Sequence, residues 1–247
     1  MSDIRIQFLG SGDAFGSGGR FQTCILVTTP QAPFLLDCGA SSLIAMRRFG
    51  ISPGGIDIIL ITHLHGDHFG GLPFFILDAQ LVTRRTQPLL VAGPPGLETR
   101  TREAMEVFFP GSSRTPQKFP LQFVELPAQT ETPVGQLAVT PYSVIHTSGA
   151  PAYALRVRCG EKIIAYSGDT EWTDALTQTA RGADLFICEA YFYERTMKYH
   201  LDYQTLLSRR EALGCKRLIM THMNEDLLRR LPHVGIEWAE DGKSITL

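Results

Sequence analysis

Apolar residues fall into short runs that alternate with longer stretches of helical period, and glycine and proline mark most of the joints. Ile4 to Leu9, Phe21 to Thr29 and Pro33 to Asp37 predict three successive strands. They are joined by the loop Gly10-Ser11-Gly12-Asp13-Ala14-Phe15-Gly16 and a proline-containing turn. Ser41 to Phe49 predicts a helix stopped by Gly50, since glycine takes up left-handed backbone beyond a helix end without steric cost. Ile56 to Thr62 is nearly all apolar, as suits a strand covered on both faces. Leu72 to Val82 and Leu97 to Phe109 have helical period, with a short strand at Leu89 to Ala92 between them.

Pro110 to Pro120, rich in Pro, Ser and Gly and without period, predicts a mid-chain loop. The pattern then restarts, with strands near Leu121 to Leu126, Gln136 to Val144, Tyr153 to Cys159 and Lys162 to Ser167. A helix over Trp172 to Arg181, a strand over Asp184 to Glu189, a helix near Tyr203 to Leu213 and a strand over Arg217 to Thr221 follow, then a last helix and short strands. Each half runs from meandering strands into strand–helix alternation. The expected fold is α/β: one domain over residues 1–247, an αββα sandwich of two mixed sheets flanked by helices. A single doubly wound sheet is the alternative that element order leaves open.

Composition narrows the classes. With 44% hydrophobic and 19% charged residues, the 247-residue chain is neither disordered nor a disulfide-stapled miniprotein. Lys and Arg number 23 against 25 Asp and Glu, so the net charge of -2 provides no global basic field, and any anion must be attracted locally. The five cysteines are odd in number and include no Cys-x-x-Cys pair, which argues against a disulfide framework and a cysteine zinc site. There is no apolar leader at the start and no apolar run of about 20 residues, so a cytoplasmic protein with no membrane partner is expected.

Seven histidines are an ordinary number, but His63, His65 and His68 share one six-residue stretch with Asp67. The motif His-x-His-x-Asp-His sits at the carboxyl end of the buried strand Ile56 to Thr62. Crowding these polar groups beside a buried strand is costly unless a cation offsets their desolvation. His63 and His65 project from one side of an extended segment, and Asp67 and His68 turn away at Gly66, so one loop can address two adjacent ions. His146, Asp169 and His222 each follow another apolar strand, where ligands would converge on one edge of the sheets.

These stretches, with Phe8-Leu9-Gly10-Ser11-Gly12, Leu35-Leu36-Asp37-Cys38-Gly39 and Ser167-Gly168-Asp169-Thr170, resemble the metallo-β-lactamase superfamily, in its ribonuclease Z-like and PhnP-like phosphodiesterase branch. The resemblance implies one ion held by His63, His65 and His146, a second by Asp67, His68 and His222, and Asp169 bridging them. It also implies that Asp37 orients a ligand histidine, the bland reading being a turn residue. His200 resembles the branch's catalytic histidine, with Glu189 as the acidic group that orients it; Leu201 stands where the family often has a small hydroxyl residue. His233 is expected to be a bystander.

Two divalent ions, Zn first and Mn or Fe as alternatives, would activate water and offset phosphoryl charge. The expected function is a dinuclear metal-dependent hydrolase, a phosphodiesterase acting on small nucleotides, cyclic phosphates or nucleic-acid ends. Its expected partner is a small anionic substrate, with nucleic acid as the alternative, and family members often form homodimers. A lactone, thioester or β-lactam hydrolase on the same scaffold is one competing reading, and a non-catalytic metal-bearing partner-binding module is another. His146 and Asp169 are 23 positions apart, room for a hairpin but not for the long arm of transfer-RNA-processing ribonuclease Z proteins. Between Arg84 and Lys118 basic residues exceed acidic ones, which either greets an anionic substrate or forms a solvated helix face.

Overall fold

The computed structural model describes residues 4–247; Met1, Ser2 and Asp3, at the start of the expected domain, lie outside the described residues. The first half supplies strands β1 (Arg5–Gly10), β2 (Cys24–Thr28), β3 (Phe34–Leu36), β4 (Ile58–Leu60), β5 (Leu89–Gly93) and β6 (Leu121–Glu125). Helices α1 (Ser42–Arg48), α2 (Gly66–Phe69), α3 (Leu72–Leu81) and α4 (Leu97–Phe108) lie between them. The second half supplies β7 (Thr132–Val134), β8 (Leu137–Ser143), β9 (Tyr153–Cys159), β10 (Lys162–Tyr166), β11 (Leu185–Glu189), β12 (Leu218–Thr221) and β13 (Glu237–Trp238). Its helices are α5 (Asp174–Ala180), α6 (Tyr203–Leu213) and α7 (Glu225–Leu228), and β14 (Ser244–Thr246) returns to the first sheet.

Two seven-stranded sheets result, ordered β14-β1-β2-β3-β4-β5-β6 and β13-β12-β11-β10-β9-β8-β7, so the doubly wound alternative is excluded. Both follow one plan. From β14 to β3, and from β7 to β10, neighbours are antiparallel; from β3 to β6, and from β10 to β13, they are parallel.

The near-continuous apolar runs arise because most strands are covered on both sides. In β2, Ile25 and Val27 enter the core between the sheets, and Cys24 and Leu26 pack under the helices of the first half. In β11, Leu185 and Ile187 face the central core while Phe186 and Cys188 pack under the helices of the second half. The carboxyl ends of the parallel strands thus carry polar residues at the rim of a dry interior.

Several boundaries differ from expectation. β2 starts at Cys24 rather than Phe21 because the Phe21 amide donates to Asp241 and the Gln22 amide to the Ser41 hydroxyl, ties that hold these residues against the neighbouring loops. α5 begins after Thr173, whose hydroxyl caps it, rather than at Trp172. β7 carries no sequence signal, since Pro133 interrupts a three-residue run; it survives as an edge strand, where a missing N–H is tolerated. No described helix is long and apolar enough to cross a membrane.

Candidate metal centre

The histidine cluster follows β4. His65 keeps extended backbone and Gly66–Phe69 forms the short helix α2, so Asp67 and His68 turn away from His63 and His65. This turn lies against the Cys38–Gly39 backbone: a Cβ on Gly39 would fall 2.3 Å from the Asp67 carbonyl oxygen, and one on Gly71 2.3 Å from that of Gly39. Only glycine permits such approaches. The second sheet contributes His146 beyond β8, Asp169 beyond β10 and His222 beyond β12.

Donor atoms of these seven side chains fall into two adjacent groups, each within 4.8 Å: His63, His65 and His146, then Asp67, His68, Asp169 and His222. His146 Nε2 lies 3.0 Å from His65 Nδ1. Asp67 Oδ2 is 3.2 Å from both His68 Nε2 and His222 Nε2. Asp169 stands between the groups, with one oxygen 3.3 Å from His68 Nε2 and the other 3.5 Å from His222, 3.8 Å from His63 and 4.0 Å from His146.

A second layer of contacts fixes the rings. Asp37, fully buried, accepts from His68 Nδ1 at 2.7 Å and from the Thr62 amide at 2.8 Å, so His68 keeps Nε2 for the centre. His146 Nδ1 donates to the Tyr199 carbonyl at 2.9 Å, and Thr62 Oγ1 lies 3.0 Å from His63 Nδ1. Asp37, Tyr199 and His222 have φ values of 59°, 73° and 60°, left-handed backbone unusual outside glycine and concentrated at this site.

The electrostatics fit divalent cations. Burial pushes the His63 imidazole well below its usual range, with His68 adding to the effect, and burial lowers His146 to about 4. Burial alone would raise Asp169, but His222 and His68 outweigh it and hold the carboxyl well below its usual range. His68 goes the other way: burial lowers it, yet Asp169, Asp67 and Asp37 together raise it well above normal, so positive charge is demanded there. His63 Nε2 and His222 Nδ1 are buried without a hydrogen-bond partner. Such an orphan costs about 1–3 kcal/mol, which for His63 Nε2, facing Asp169, ligation by a metal ion would remove.

Beside the centre, His200 Nδ1 donates to Glu189 Oε2 at 3.0 Å, and the other Glu189 oxygen accepts from the Thr170 amide. Glu189 is fully buried at the end of β11. Burial and the Asp169 charge raise its pKa; burial lowers that of His200, but the Glu189 charge and hydrogen bond more than offset this and raise it. The His200 ring lies 5.2 Å from that of His146 and stacks on Tyr191 at 4.8 Å. Asp202 caps α6 two residues further on, fixing the segment that delivers His200. Leu201, the departure from the family pattern, is buried in the core under the helices of the second half.

A cavity of about 390 Å³ opens over the centre and brings His65, Asp67, Asp169, His200 and His222 to its wall. Sequence reasoning missed its other lining groups, among them Phe15, Tyr191 and Met197. The one available signal was the glycine-rich loop Gly10 to Gly16 around Phe15, expected only to join two strands. None of the basic residues between Arg84 and Lys118 lines this cavity. Arg102 pairs with Glu98 at 2.7 Å, Arg100 with Glu103 at 3.5 Å and Arg114 with Glu106 at 3.7 Å; Arg85 is buried against Asp57 at 2.7 Å. His233 lies in a short turn outside the cavity.

The two mixed sheets and the histidine–aspartate cluster define a metal-dependent hydrolase of the metallo-β-lactamase superfamily, phosphodiesterase-like and of the ribonuclease Z and PhnP branch. The chain belongs to the family described as Anti-Pycsar protein Apyc1, whose model matches residues 4–235. It is similar to a ribonuclease Z of Lachnoclostridium phytofermentans, 27% identical over 304 aligned positions covering 99% of this chain and 98% of the relative. Among solved structures, the short form of human tRNase Z superposes with a TM-score of 0.79 at 26% identity, covering 98% of each chain. A diphosphatase from the PhnP family shares the fold with a TM-score of 0.75 at 21% identity, covering 98% of this chain and 97% of that one.

Proposed function

We propose that the protein is a dinuclear metallohydrolase that cleaves a small phosphodiester, a cyclic phosphate of nucleotide size in the first instance. The observation that carries this reading is one cavity of about 390 Å³ whose wall carries His65 of one donor group, Asp67, Asp169 and His222 of the other, and His200 backed by Glu189. His63, His65 and His146 would hold one ion, Asp67, His68 and His222 the other, with Asp169 shared. Bound there, the pair would lower the pKa of water and offset charge on the phosphoryl oxygens. Zn is the first choice for this nitrogen and oxygen donor set, with Mn and Fe as alternatives.

The chain's own groups would manage the leaving alkoxide. Glu189 fixes the His200 ring through Nδ1, which leaves Nε2 to hand a proton to the departing oxygen. Tyr191, stacked against the ring, limits its rotation. Small substrates are favoured over folded RNA because the 304-position alignment with the ribonuclease Z relative exceeds this 247-residue chain, so the relative carries segments absent here. Nucleic-acid ends remain the alternative substrate. A cytoplasmic location accords with five free cysteines, four of them buried. The homodimer suggested by the family resemblance would scatter light as about twice the 27.3 kDa chain.

Metal-loaded protein is expected to hydrolyse a bis-aryl phosphodiester and a cyclic nucleotide far faster than a thioester or a lactone. His65→Ala is expected to lose metal and turnover together. Preference for the acyl substrates, or a His65→Ala variant that keeps both metal and activity, would contradict the reading.

A further inference from the structure

Tyr199 does its work through its backbone. Its carbonyl accepts from His146 Nδ1 at 2.9 Å, and its own φ is 73°, left-handed backbone that a tyrosine keeps only where the surroundings over-determine it. One such constraint is a side chain from another segment: the Tyr199 amide donates to Glu171 Oε1 at 2.8 Å. Glu171 is half-buried and does not reach the wall of the cavity over the centre. It is nevertheless built into the same corner of the fold. It follows Asp169 by two residues beyond β10, its amide donates to the Ile145 carbonyl at 3.2 Å, and the Ile145 amide donates to the Thr170 hydroxyl at 3.1 Å. Ile145 immediately precedes His146, so the segment of Glu171 holds the backbone of this histidine on one side, and its carboxylate reaches the acceptor of the ring on the other.

We propose that Glu171 is a positioning residue for His146. By holding the Tyr199 amide, it fixes the left-handed φ on which the direction of the Tyr199 carbonyl depends, and that carbonyl keeps His146 Nε2 aimed at the donor group of His63 and His65. This rests on the two-ion reading of the site and extends it to a residue that neither holds an ion nor meets substrate. A ligand histidine is held by the partner of its second ring nitrogen, and the partner here is a main-chain oxygen that no side-chain substitution can remove. Glu171 is the side chain through which that oxygen can be moved.

The test titrates metal-free wild type, Glu171→Ala, Glu171→Gln and Glu171→Asp with zinc in competition with a chelator. Glu171→Ala should weaken one of the two zinc constants by about 10- to 100-fold and leave the other unchanged. In NMR spectra of the zinc-loaded protein with isotope-labelled histidine, the Nδ1 proton of His146 should shift or exchange faster, whereas that of His68, held by Asp37, should not move. Glu171→Gln keeps an oxygen acceptor and should restore most of the affinity. Glu171→Asp keeps the charge but withdraws the carboxylate by one methylene and should not; it also supplies the comparison if the alanine variant fails to fold. Unchanged zinc constants in both shortened variants, an equal fall in the two constants, or a loss that glutamine does not restore would overturn the inference. Wild type that binds two zinc ions yet cleaves no phosphodiester would end the phosphodiesterase reading alone, and the zinc constants of the variants would still decide the role of Glu171. Wild type that binds no zinc would overturn both.

Discussion

Asp37 shows how one buried carboxylate can position a member of the candidate metal centre while lying outside its donor groups. It accepts the Thr62 amide with one oxygen and His68 Nδ1 with the other, and its own backbone is left-handed, at φ 59°. Replacing it with alanine frees the His68 ring and leaves the Thr62 amide buried without its acceptor. Metal affinity should fall about 10- to 100-fold, measured by chelator competition, and unchanged affinity would show that His68 needs no such support. Urea unfolding of the metal-free variant should show a loss of about 1–3 kcal/mol from the orphaned amide. The seven clustered histidines and aspartates were legible in the sequence because a metal-binding pattern confines residue type and spacing to a narrow choice. Tyr199, which contributes only its carbonyl, was not, because any residue has one.

At the level of elements, the turn after β10 sets the position of Asp169. Gly168 has φ +57°, and a Cβ there would lie 2.9 Å from both the Thr62 Cβ and the Tyr153 carbonyl oxygen. Gly168→Ala should therefore cost about 1–3 kcal/mol by urea denaturation and weaken metal binding at the same time; a variant of full stability and affinity would contradict this. Strands such as Ile58–Leu60 and Leu185–Glu189 were readable because burial on two faces leaves an unbroken apolar run. β7 was not, since an edge strand with Pro133 at its centre has neither alternation nor apolar length. Phe15 escaped notice for a related reason: periodicity identifies residues that pack, and its side chain is 86% exposed.

Across the whole molecule, the donor set joins the two sheets. His63, His65, Asp67 and His68 follow β4 of the first, whereas His146, Asp169 and His222 follow strands of the second. Bound ions would act as a clasp between the halves, and metal at a hundredfold excess over Kd contributes about 2.7 kcal/mol per site. Chelation should lower Tm by several degrees in calorimetry; identical scans with and without metal would rule the clasp out. The charge pattern is also a property of the whole chain. Ion pairing absorbs much of the Arg84 to Lys118 excess, so attraction of an anion would fall to cations bound at the centre. The most direct test is turnover by His200→Ala, at verified metal content, on paired phosphodiesters with an alkyl and a nitrophenyl leaving group. A fall of about 10²–10⁴-fold for the alkyl ester, much less for the nitrophenyl ester and with metal retained, is expected of a residue that protonates the leaving oxygen. Equal rates to wild type on the alkyl ester would contradict it.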